Sequence, residues 1–238
     1  MLNGAKISCH HGVSRFENQL TPVINLFNIH PQIDILEIDF VYYDKTYISS
    51  HDYELCNIVN GNPLSEWIHF IMKMNKILWI DLKDDNLSIL NDTYSKIKLK
   101  ALFHELSELQ QKYNGLQDHV IIGCQYSHIY KKLLQIKTDF VIIRDLPEDV
   151  SYVIDACTPD FLKEITNYVN QSLMDLTHNN KSGITAIDKS FFDSFTNLEE
   201  FIEKLKTDVV IVYNFDLCDN YQLKSDKHII YQYNFFID

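Results

Sequence analysis

The stretch Ile35-Leu36-Glu37-Ile38-Asp39-Phe40-Val41 decides how this 238-residue chain is read. It is short and rich in β-branched and aliphatic residues, which marks a strand. Period-2 alternation puts Leu36, Ile38 and Phe40 on one face and Glu37 and Asp39 on the other. In a parallel strand covered on both sides, two ionised carboxylates on one face are costly to desolvate unless something positive compensates them. A hard divalent cation, Mg2+ or Ca2+, is the natural partner, because both prefer carboxylate oxygens.

Seven further short apolar runs flank this one: Ala5–Cys9, Ile77–Leu82, Val120–Gln125, Phe140–Arg144, Gly183–Asp188, Val209–Phe215 and His228–Tyr233. Between them lie segments of helical period, Glu17–Asn28, Leu64–Asn75, Thr93–Tyr113, Ile129–Ile136, Asp160–Leu176 and Leu198–Lys206. Leu198, Phe201, Ile202 and Leu205 fall at i, i+3, i+4 and i+7, one apolar stripe for packing on a sheet. The seventh connection, Asp216–Lys227, is short for a full helix. Strands alternating with helices define an α/β protein with a parallel sheet. The length fits the roughly 250 residues of a (β/α)8 TIM barrel better than two small domains. The expectation is one barrel domain over residues 1–238, with a doubly wound open sheet as the competing arrangement. No repeat, low-complexity tract or Pro/Gly/Ser-rich linker divides the chain. Asn86–Asp92 and Thr177–Ser182 read as loops.

The third strand repeats the alternation of the second. Leu78, Ile80 and Leu82 share one face, while Trp79, Asp81 and Lys83 share the other. If the strands are neighbours in a barrel, Asp81 reaches Glu37 and Asp39 at the C-terminal mouth, where barrel enzymes place their chemistry. Lys83 would then offset charge on a phosphate oxygen. The first strand ends in Cys9-His10-His11-Gly12, and Ser50-His51-Asp52 follows the second strand after a hairpin-like excursion through Asp44 and Lys45. Alternation makes Ala5, Ile7 and Cys9 the apolar outer face and turns Ser8 and His10 inward. Phosphodiester cleavage needs one group to take a proton and another to give one, and histidine suits both near neutrality. A lone histidine at a strand end is more often a satisfied polar residue than a catalyst. The weight here comes from the conjunction of these residues, in order, at the ends of three successive strands.

Composition narrows the partners. The apolar fraction of 46% is that of a folded globular chain. A net charge of -12 argues against nucleic acid, and it makes a bound metal the economical local cation for a phosphate ester. Cys9, Cys56, Cys124, Cys157 and Cys218 show no paired spacing of the zinc or redox kind and read as reduced. Met1–Lys6 carries no basic segment leading into an apolar run, and no stretch approaches the roughly 18 apolar residues of a membrane span. The expectation is a cytoplasmic protein without a transmembrane segment, which leaves room for peripheral membrane contact.

His10-His11-Gly12, Phe16-Glu17-Asn18, Glu37-Ile38-Asp39, His51-Asp52 and Asp81-Leu82-Lys83 resemble, in order and with similar spacing, the motifs of the glycerophosphodiester phosphodiesterases within the phospholipase-C-like phosphodiesterase superfamily. The match covers roughly the first third of the chain. It implies a metal at Glu37, Asp39 and Asp81, with His10 and His51 as the acid/base pair. The Asp-Leu-Lys form is more similar to the sphingomyelinase-D-type phospholipases, and Leu64-Ser65-Glu66-Trp67-Ile68 resembles the menorin-type branch. His11 stands where the motif has arginine, which removes a permanent bidentate phosphate clamp. A one-residue shift would make His11 the catalytic histidine instead of His10. Gln125, Arg144, Asp188, Lys189, Tyr213 and Asn234 are substrate-contact candidates by position, and Arg144 could replace the missing arginine. The expected function is metal-dependent hydrolysis of a small or lipid-derived phosphodiester. The rival is a barrel of this type that has lost turnover and serves as a binding or scaffold protein.

Overall fold

The computed structural model describes residues 7–13, 16–83, 92–124, 129, 132–133, 135–145, 184–188, 198–205, 207–216 and 223–235. Eight parallel strands form a closed ring: β1 (Ile7–Val13), β3 (Ile35–Tyr43), β5 (Ile77–Leu82), β6 (Val120–Cys124), β7 (Val141–Asp145), β8 (Ile184–Asp188), β9 (Val209–Asp216) and β10 (His228–Phe235). Each pairs with the next, and β1 pairs with both β10 and β3, which closes the sheet into a (β/α)8 barrel and rules out the open doubly wound alternative. Two short strands are added outside the ring. β2 (Phe16–Glu17) runs antiparallel to the end of β1, and β4 (Thr46–Ser49) returns antiparallel along the end of β3. The β3–β4 turn is the Asp44-Lys45 pair, both at positive φ, which matches the twist of a two-residue hairpin.

Alternation sorts the side chains as expected. Leu36, Ile38, Phe40, Leu78 and Ile80 join the layer between sheet and helices, whereas Ile35, Trp79, Ile121, Ile143, Ala186, Ile211 and Ile230 fill the barrel interior. Helix α3 (Leu64–Met74) buries Leu64, Trp67, Ile68 and Ile71 at i, i+3, i+4 and i+7, and it stops at Asn75, whose left-handed conformation caps the C-terminus. Helix α4 (Asp92–Lys112) buries Leu99, Leu102, Leu106 and Leu109. Helix α5 (Leu198–Lys204) buries Phe201 and Ile202, with Leu205 just beyond it.

Three expectations change. The first strand extends beyond the apolar run Ala5–Cys9 and past Gly12, to Val13. Pairing of Val13 with Phe235 on one side and Phe16 on the other keeps the segment extended, across a register irregularity between Cys9 and Val13. Gly12 fits that irregularity because its φ is 81° and a Cβ there would lie 2.6 Å from Val23. The first helix, α1 (Leu20–Ile29), starts three residues later than Glu17, since Phe16 and Glu17 form β2 and Asn18 turns the chain at positive φ. Helix α2 (Leu55–Asn60) follows His51-Asp52 where no helix was read. Asp160–Leu176, Thr177–Ser182, Gln125 and Lys189 lie outside the described residues, as do Ala5 and most of Asn86–Asp92.

Inside the barrel, Trp79 is 1% exposed and leans over Gly123 on the neighbouring strand. A Cβ on Gly123 would come within 2.1 Å of the indole nitrogen, and the enclosed ring has little room to retreat. Gly123→Ala is therefore expected to lower stability by about 1–3 kcal/mol, read as a fall in the urea midpoint at unchanged m-value.

Candidate metal centre

Three carboxylates meet at the C-terminal mouth of the barrel. Asp39 and Asp81 are register partners on adjacent strands, and Glu37 sits two residues below Asp39 on the same face. All three are buried, and one ligand oxygen from each lies within 4.8 Å of the others. Lys83, just past the end of β5, places its Nζ 2.6 Å from Asp81 Oδ2 and 3.2 Å from Asp39 Oδ1. Burial alone would lower the Lys83 pKa. The charges of Asp81, Asp39 and Glu37, with the hydrogen bond to Asp81, outweigh it and hold the ammonium well above the ordinary lysine value.

The donor set fits a hard cation. Three carboxylates against one ammonium leave a formal surplus of two negative charges, equal to one divalent ion. Asp81 Oδ1 is buried and accepts no hydrogen bond, so a ligand oxygen is already desolvated without a protein partner. Glu37, Asp39 and Asp81 can thus chelate a divalent metal.

A second layer of contacts fixes the ligands, and Asn18 is its centre. Its Nδ2 donates to Asp39 Oδ2 at 3.0 Å, its Oδ1 accepts from the Asp39 backbone N–H at 2.9 Å, and its carbonyl accepts from Ser49 Oγ at 2.6 Å. Through its side chain and its backbone carbonyl, Asn18 therefore ties β2, β3 and β4 together around a carboxylate of the cluster. The sequence reading placed Asn18 in the motif but gave it no role.

His10 is mostly buried at the rim of this cluster. Its Nδ1 is 3.0 Å from Asn234 Oδ1, and its Nε2 is 3.8 Å from Glu37 Oε2. In the tautomer protonated at Nδ1 the ring donates to the Asn234 carbonyl oxygen, and Nε2 faces the acidic site. Burial pushes the His10 pKa below the ordinary value. The Asn234 hydrogen bond and the charges of Asp39 and Asp81 oppose that shift, and Lys83 adds to it.

His51 follows β4, next to a backbone anchor on β3. The Ser50 N–H donates to the Asp39 carbonyl at 3.0 Å, which anchors the backbone one residue before His51, and His51 itself is exposed. Asp52 accepts from the Glu54 N–H at 2.8 Å and from Asn57 Nδ2 at 3.0 Å, so it braces the start of α2. Tyr213 is buried on the inner face of β9, its ring centroid 6.0 Å from that of His10. The backbones of His11, Arg144 and Asp188 lie in β1, β7 and β8, while their side chains are outside the described set. Trp67 and Ile68 of the Leu64–Ile68 segment are buried packing residues of α3, away from the mouth.

The whole architecture is similar to solved glycerophosphodiester phosphodiesterases. That from Agrobacterium tumefaciens is 15% identical, with 96% of each chain covered and a TM-score of 0.56. That from Parabacteroides distasonis is 12% identical over 95% of this chain and 92% of the other, at 0.58. The protein from Thermotoga maritima is 14% identical over 88% and 85%, at 0.54. No protein-family model matches the sequence, and no curated protein matches it. The fold is that of the glycerophosphodiester phosphodiesterase and phospholipase-C-like superfamily, and its acidic cluster sits at the mouth of that barrel.

A divalent ion held only by the folded state raises its stability by mass action. At a hundredfold excess over Kd, the melting temperature of the wild type is expected to rise by about 5–10 °C. Asp81→Asn should abolish the rise in scanning calorimetry. Asn18→Ala should keep the fold and weaken metal affinity by about 10–100-fold, read by titration calorimetry.

Proposed function

We propose that this protein is a metal-dependent phosphoric diester hydrolase, its barrel formed by one domain over the whole chain. In this reading Glu37, Asp39 and Asp81 hold Mg2+ or Ca2+, and His10 and His51 form the acid/base pair. The observation that carries it is the buried carboxylate cluster with the Nε2 of His10 3.8 Å from Glu37. A bound divalent ion would supply positive charge to the phosphoryl oxygens.

The chain's own groups do the rest. In the tautomer that donates from Nδ1 to Asn234, His10 takes a proton at Nε2 from the attacking water or hydroxyl. His51, approaching from the solvent side, gives a proton to the leaving alkoxide. Lys83 balances the carboxylates and adds a cation beside the phosphate. Tyr213, within ring contact of His10, lines the substrate position, and His11 and Arg144 serve as its further contacts. The substrate is a glycerol-type or lipid-derived phosphodiester met in the cytoplasm. No helix among the described residues is long and apolar enough to cross a membrane.

The test is turnover of a panel of glycerophosphodiesters, lysophospholipids and sphingomyelin with added Mg2+ or Ca2+. Metal-dependent product formation is expected, falling by about 10²–10⁴-fold in His51→Ala and to background in Asp39→Asn. Metal binding without turnover of any diester would sink the hydrolase and favour the binding barrel.

A further inference from the structure

One residue of α4 holds the chain on both sides of His51. The Lys98 carbonyl accepts from the hydroxyl of Tyr47, which precedes His51, at 3.0 Å. The Lys98 ammonium donates at 3.1 Å to the hydroxyl of Tyr53, which follows His51, and lies 5.2 Å from the centroid of that ring. Between these two ties, the Ser50 N–H donates to the Asp39 carbonyl at 3.0 Å and the Ser50 hydroxyl donates to the Asp52 carbonyl at 2.7 Å. Lys98 is only 6% exposed. Burying an ammonium and fixing a long side chain both cost free energy, and firm contacts have to offset that cost. A charge-assisted hydrogen bond and a cation over an aromatic face, both made to Tyr53, contribute to the offset. The helix that carries Lys98 is itself fixed, since Leu99, Leu102, Leu106 and Leu109 are buried in the layer between sheet and helices.

His51 is exposed, so its place is set first by the backbone that carries it. Through Ser50 that backbone is tied to Asp39, and through Tyr47 and Tyr53 it is tied to α4. We propose that Lys98, with Tyr53, is a positioning residue for His51, clasping residues 48–52 to α4 so that the imidazole keeps its place relative to the acidic cluster. This inference rests on the phosphodiesterase reading for the role of His51, and it adds to that reading a residue outside the cluster. A misplacement of about 1 Å at a reacting group costs about a hundredfold in rate. A chain that keeps its fold and loses the clasp is therefore expected to lose turnover. The carboxylates have their own supports in Asn18 and Lys83, which makes metal affinity a separate quantity.

The experiment uses the full chain and compares Lys98→Met, which keeps the stem and removes the ammonium, with Tyr53→Phe, which keeps the ring and removes the hydroxyl. Lys98→Arg keeps a donor and a charge and serves as the rescue. Amide hydrogen exchange on the peptides covering residues 48–54 should quicken by about 10–100-fold in Lys98→Met. Tyr53→Phe should show a smaller rise, Lys98→Arg should recover most of the protection, and the amides of β3 should not change. On a diester that the wild type turns over, Lys98→Met should lower kcat by about 10–100-fold with KM and metal affinity within about twofold. In the His51→Ala background the same substitution should cost less than about twofold, because a residue that acts through His51 has nothing left to act on. Unchanged exchange in Lys98→Met would overturn the proposal, and so would a kcat loss that is equally large in the His51→Ala background. If Lys98→Met does not fold, Tyr53→Phe is judged by the same two criteria. Quickened exchange in a protein that turns over no diester supports the clasp and counts against the hydrolase. Turnover with unchanged exchange does the reverse.

Discussion

Everything at the mouth of this barrel answers to the burial of three carboxylates within a few ångströms of one another. Two like charges 4 Å apart in a medium of effective dielectric about 20 repel by about 4 kcal/mol, and each has also lost its hydration. The structure offsets this with one ammonium from Lys83 and with hydrogen bonds from Asn18 to Asp39. These contacts do not neutralise the cluster, which is the physical reason for assigning it a divalent ion.

The same constraint explains the unusual local geometry around it. To donate to Asp39 and brace its backbone, Asn18 must sit at a turn between a strand and a helix, and it adopts positive φ there. β2 exists to bring that turn across the barrel end, and Gly12 lets the chain bend closely over Val23 of α1. The β3–β4 hairpin then returns Ser50 to the Asp39 carbonyl, so His51 enters from a fixed backbone point although its side chain is exposed. Gly12, Asn18 and the Asp44-Lys45 turn take positive φ at this end of the barrel, whereas Asn75 and Gly115 do so at helix ends. Farther down the barrel, ordinary β-branched packing suffices.

Legibility in the sequence follows from the range of the interactions. Alternation acts over two residues, so Glu37, Asp39 and Asp81 could be put on one face from their neighbours, and helices α3, α4 and α5 were readable from their apolar stripes. The extension of β1 to Val13 and its register irregularity were not readable, because what keeps that end extended is pairing with β10, more than 200 residues away in sequence. Asn234 shows the limit most clearly. Its position near the last strand end was visible, yet its partnership with His10 spans 224 residues and depends on closure of the ring. The late start of α1 was hidden for a different reason: Phe16 and Glu17 fit a helical pattern locally, and tertiary pairing overrides that preference.

A barrel of this kind that had lost its chemistry would face a specific difficulty. Replacing a buried ionic cluster by apolar residues of similar size is often neutral or stabilising, whereas keeping the charges without their counter-ion is costly. This chain keeps all three carboxylates buried, spends Asn18 on orienting one of them, and leaves Asp81 Oδ1 desolvated without a hydrogen bond. That arrangement makes sense with a bound cation and is expensive without one, so metal binding is common to the hydrolase and to a binding barrel. The two part at the histidines. The Asn234 contact orients the mostly buried imidazole of His10 with Nε2 turned to the acidic cluster. That placement is the one the proposed proton transfer requires.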